Sequence, residues 1–279
     1  MFVKKQNKLT NTKLTMFFKS LFSRKTIRIN GTHRGSHGEQ WFACFGHKNF
    51  DEKNKVIDDL TKKILEEEKN TAYSGKYSVR NLNMGEIDFV AIVDGEQAVS
   101  LFPHLKSEIE LPFVIKKITE WKHLDNIEAQ IGGSGRNEFG LSFFATDYLE
   151  NKKIYKNNKE LIVNLSAFAY GINISNVSMY SEQFSDDYVG YLPKDKQSME
   201  KGEFEFIGKV INFGEFIYEN VEGYIITTKL INHPEIEEFF VLDVFVNKDN
   251  LEVDELKKGM RIAGTIWLQG NIAENETSL

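Results

Sequence analysis

The sequence is poor in several features, and each shortage narrows what the chain can be. It has one cysteine, Cys44, so no intrachain disulfide can form. A disulfide-stapled scaffold is excluded, and a reducing compartment, the cytoplasm, is the expected home. It has only 4 prolines, which leaves no proline-rich linker. No stretch approaches the roughly 18 consecutive apolar residues of a membrane-crossing helix. The apolar group Met16-Phe17-Phe18 is interrupted by Lys19, which argues against a signal peptide. Acidic residues are missing from positions 1–30, which carry eight Lys and Arg, while the whole chain has a net charge of −6. Everything after that basic start therefore carries −14.

What is present is buriable surface. The 22 Phe and 10 Tyr among 279 residues supply a real core and exclude disorder as the dominant state. The length suits one large domain or two moderate ones. Within the basic arm, Leu14, Phe17, Phe18, Leu21 and Phe22 recur at helical spacing, with Lys13, Lys19, Arg24 and Lys25 outside the stripe. Such a stripe can dock on the protein's own core, fill a partner's groove or rest on an anionic membrane surface through residues 13–25.

Val56, Ile57, Leu60, Ile64 and Leu65 form one face of a helix expected over about 51–69. Trp41-Phe42-Ala43-Cys44-Phe45, ended by Gly46, reads as a buried strand. Strand signals dominate after the helix. Ile87 to Val93 closes on the turn pair Asp94-Gly95, and Phe113 to Trp121 is rich in β-formers. Ile127, Ala129 and Ile131 alternate with Glu128 and Gln130, and Gly132-Gly133-Ser134-Gly135 reads as a turn before a strand from Phe139 to Ala145. Asn157-Asn158 divides Ile154-Tyr155 from Leu161 to Leu165 as a second hairpin. The polar segment 192–202, with Pro193 and Gly202, is the expected boundary.

Beyond it lie a long strand from Phe204 to Ile217 with Gly208 and Gly214, strands at Gly223 to Ile231 and Phe239 to Val246, and a closing run from Leu256 to Leu268 with Gly259 and Gly264. This order and glycine placement resembles a small β-barrel of the OB type over residues 203–273. The expected fold class is α+β. A basic arm covers 1–25, a strand-rich α+β domain with one clear helix covers 26–191, and a small barrel-like unit covers 203–279.

Barrels of that type often bind nucleic acid, but a phosphate backbone needs a basic groove. Residues 203–279 hold six Lys and Arg against fifteen Asp and Glu, which argues against it. The expected partner is a protein, and a basic one. The sequence shows no Walker or Rossmann loop and no Gly-x-Ser-x-Gly elbow, so no cofactor or catalytic residue is assigned.

The one cluster with metal-binding chemistry is His33, His37, Cys44 and His47. It holds four of the chain's seven His and Cys residues. Imidazole and thiolate suit zinc, although on a strand Cys44 and His47 face opposite ways. The resulting expectation is a non-enzymatic acidic binding protein of a bacterial cytoplasm, an inhibitor or immunity type that masks a basic surface. The alternatives are an enzyme whose site gathers near His37, Cys44 and His47, and a membrane-peripheral protein.

Overall fold

The computed structural model describes residues 27–33, 35, 37–46, 50–66, 71–175, 188–193, 201–218 and 221–274. Strands account for 59% of these and helical turns for 18%. The chain runs β1 (Arg28–Thr32), α1 (Gln40–Phe45), α2 (Phe50–Glu66), β2 (Thr71–Ser74), β3 (Tyr77–Met84), β4 (Ile87–Asp94), β5 (Gln97–Leu105), β6 (Glu110–Trp121), β7 (Ala129–Gly135) and β8 (Phe139–Ala145). It continues through α3 (Tyr148–Asn157), β9 (Glu160–Ile174), β10 (Gly190–Pro193), β11 (Glu203–Tyr218), β12 (Val221–Ile231), β13 (Phe240–Asn247), β14 (Leu251–Glu252) and β15 (Arg261–Ile272).

Strands β2 to β5 make an antiparallel meander. Its three tight turns each open on a glycine with positive φ, at Gly75, Gly85 and Gly95, which suits hairpins of this length. Helix α2 lies on the meander through Leu60 and Ile64, both buried.

The other eleven strands form one large mixed sheet whose pairings close twice. One circuit runs β6-β7-β8-β15-β9 and back to β6. The second runs β15-β11-β12-β13-β9 and back to β15. The antiparallel pair β9/β15, from Val163↔Ile272 to Ile174↔Ile262, belongs to both. Each circuit takes three consecutive strands and closes with a parallel pairing, β8 with β15 and β13 with β9.

The opening strand of each circuit must leave one partner for another. A strand that does so bends, and a bulge supplies the bend. The register shifts between Ile115 and Lys117 in β6, and between Val210 and Asn212 in β11. The backbone contact at the bend recurs too: Ile115 N–H donates to Lys159 O, and Val210 N–H to Met260 O.

Inside the circuits, Phe113, Phe143, Leu165, Val244 and Ile262 belong to one core. Alternation along the same strands sends Phe144, Phe168, Phe245 and Trp267 outward, where they pack under the meander and helices α1 and α2 as a second core. Ser166 and Gln269 fasten that layer: the Ser166 hydroxyl donates to Leu105 O at 2.7 Å and Gln269 Nε2 to Pro103 O at 2.5 Å.

These features correct the expected α+β class with a small C-terminal barrel. The molecule is strand-dominated, and β11, β12, β13 and β15 do not close among themselves, because β9 from the middle of the chain completes their circuit. Three local readings change as well. The run Trp41–Phe45 is helical, not a strand. Ile154-Tyr155 belongs to α3, not to a hairpin. Gly132 to Gly135 are strand residues, and the turn falls at Arg136 and Asn137, both at positive φ. A Cβ on Gly133 would sit 2.0 Å from Val114 O, so the close crossing of β7 over β6 requires glycine there.

Candidate functional site

A cleft of about 600 Å³ opens between α1, α2, β5 and the turn after β6. That size falls in the range of small-ligand sites, roughly 300–1,000 Å³. Trp41 and Phe42 come from α1, Ile57 from α2, Val99 and Ser100 from β5, and Trp121 from the end of β6.

Helix α1 has six residues, too few to hold itself in water. Its last carbonyls are instead taken by two distant asparagines: Asn250 Nδ2 donates to Phe42 O and Asn247 Nδ2 to Cys44 O, each at 3.0 Å. Gly46 ends the helix at φ 78°, and a Cβ there would meet Asn247 Oδ1 at 2.7 Å. Trp41 is then fixed in a near-parallel stack with Phe45 and Phe89, with ring centroids 5.5 Å away in each case.

His37 lines the cleft yet is 8% exposed. Its ring sits among Phe102, Trp121, Phe144 and Trp267, at centroid distances of 4.8–5.8 Å. Behind it lies Glu128, only 1% exposed. Glu128 Oε1 lies 3.1 Å from His37 Nε2 and accepts the Ser100 hydroxyl at 2.5 Å. Glu128 Oε2 and His37 Nδ1 have no hydrogen-bond partner among the described residues. A buried polar atom without a partner is costly, so this pair marks a place where a ligand group would gain by arriving.

Of the cluster expected to suit zinc, His33 is exposed just after β1, while His37 and Cys44 are buried. His47 lies outside the described residues, as do Leu14, Phe17, Phe18, Leu21 and Phe22. Burial pushes the Cys44 thiol far above the usual range, so it stays protonated. Among the described residues, no three His, Cys, Asp or Glu side chains are grouped to hold a metal ion. No described helix is long and apolar enough to cross a membrane.

Other titratable residues hold the frame. Tyr148, Lys152 and Lys156 stand four apart on α3 and converge on Glu120 at 2.8, 3.0 and 2.9 Å. Burial pushes the Glu120 carboxyl up, but these three partners outweigh it and leave it below its usual range. Asp147 accepts from Tyr155 and from the Ile272 N–H, tying α3 to the end of β15. Asp243 accepts from Ser107 and Thr227.

The sequence reading missed Ser100, Trp121, Glu128 and Trp267. Glu128 followed the alternation of an outward polar residue, and only the layer packed over that face turns it into a buried acid. Compared with known proteins, the chain matches no family model, no curated protein and no solved structure.

Proposed function

We propose that the chain is a non-enzymatic binding protein whose cleft and acidic body hold a basic protein, as an inhibitor or immunity-type protein of the cytoplasm would. The observation that carries this reading is Glu128: a buried carboxylate, one oxygen unpartnered, directly behind two residues that line an aromatic-walled cleft. An unpartnered carboxyl oxygen there, in a chain of net charge −6, favours a donor-rich, positively charged visitor. Catalysis by the same groups is poorly served. The Ser100 hydroxyl donates to a carboxylate and not to the imidazole of His37, and burial keeps the Cys44 thiol protonated, so no Ser–His or Cys–His pair is formed.

The reading is tested by titrating the full chain with purified basic proteins from roughly 50 mM to 500 mM salt. Saturable binding that weakens steeply with salt is expected. Binding only to acidic proteins, or no binding at low salt, contradicts it. A second reading, an enzyme with its site at His37, is favoured by the contact of that imidazole with the cleft. Turnover of a small molecule lost on His37→Gln replacement would establish it in place of the first.

A further inference from the structure

Resting on the reading of the cleft as the site for a basic partner, we infer that it receives the guanidinium of an arginine side chain. The polar groups of its lining, and the carboxyl buried behind them, carry acceptors. His37 Nε2 faces Glu128 Oε1, so the tautomer that donates there leaves Nδ1 as a lone pair, and Nδ1 has no partner among the described residues. The Ser100 hydroxyl spends its proton on Glu128 and keeps only lone pairs. Glu128 Oε2 is a third acceptor with no donor among the described residues.

Two acceptors on residues that line the cleft, and a third on the buried carboxylate they bond, ask for a ligand rich in N–H donors and poor in acceptors. That excludes phosphates and carboxylates, and it fits the five donors of a guanidinium or the three of an ammonium. The walls decide between these. Trp41 and Trp121 line the cleft, each 7% exposed, so their rings form its wall. A planar, weakly hydrated guanidinium stacks on such faces, whereas the compact ammonium is more strongly held by water. No lysine or arginine of the described residues lines the cleft to compete for the site.

The chain reports on its own cleft, because its three tryptophans are Trp41, Trp121 and Trp267. Two line the cleft and the third packs on His37. The experiment titrates the full chain with Nα-acetyl-arginine amide, the lysine equivalent and the neutral citrulline equivalent. Binding is read by tryptophan fluorescence and ligand-observed NMR at constant ionic strength. The arginine compound is expected to saturate, with the lysine and citrulline compounds weaker by about tenfold or more. Glu128→Gln should remove a similar factor. If that variant fails to fold, Val99→Phe serves instead, since it narrows the cleft from a rim position that is 36% exposed.

Equal binding of the citrulline compound, or no saturation by the arginine compound at about 10 mM, overturns the inference. So does unchanged affinity in a folded Glu128→Gln or Val99→Phe variant. If basic proteins still bind in a salt-dependent way after that, only the arginine assignment has failed and the wider reading stands.

Discussion

At the scale of single residues, the chain buries ionisable groups where they serve position. His104 shows the thermodynamic consequence. His104 is half-buried on β5, and desolvation there lowers its pKa from 6.5 to about 4, with Asp88 and Asn271 pulling the other way. The unfolded chain therefore binds a proton between those values that the folded chain refuses, and stability falls as pH drops through that window. Thermal melting of His104→Asn should show a shallower loss between pH 6.5 and pH 4 than the parent. Identical slopes would assign the acid sensitivity to other groups. Of the metal-ligand candidates His33, His37 and Cys44 among the described residues, His37 reaches the cleft, and it does so for a reason invisible in the spacing of His and Cys. Four aromatic rings from four separate strands converge on it, and Glu128 arrives from beyond β6.

At the scale of elements, local pattern was informative where one face packs and the other meets water. The stripe Val56 to Leu65 marked α2, and β11, β12, β13 and β15 fall close to their expected places. Pattern failed where neighbours decide. Trp41 to Phe45 is apolar enough for a strand, but six residues become helical because Asn247 and Asn250, some two hundred positions away, take their carbonyls. Replacing Asn247 with Leu should leave the buried Cys44 carbonyl unpaired and cost about 1–3 kcal/mol of stability by thermal or urea unfolding. Affinity at the cleft should fall with it, because Trp41 rides on the same helix. An unchanged unfolding midpoint would show that α1 does not depend on that bond. Helix α3 was hidden differently: the Tyr148, Lys152 and Lys156 spacing is helical, but its target, Glu120, belongs to another element.

At the scale of the whole molecule, the chain carries one strand plan twice without repeating its sequence. Each circuit spends three strands of its own and shares β9 and β15, so neither is complete without residues from both sides of the 192–202 segment. The barrel-like reading of the C-terminal residues recovered the strands but could not reveal that the closing partner comes from residues 160–174. Sheet closure by a distant strand leaves no trace in hydrophobic period, since the middle of β9 is continuously buried and reads like any strand covered on both faces. The outward aromatics of this shared body form the base on which the meander, α1 and His37 sit, which joins the fold to the cleft. Competition tests that connection most directly: a basic protein is bound to the full chain at low salt, and Nα-acetyl-arginine amide is added at constant ionic strength. Stepwise release from the parent chain, with little release by the citrulline compound, is expected. Retention of the basic protein while the arginine compound saturates the tryptophan signal would contradict it.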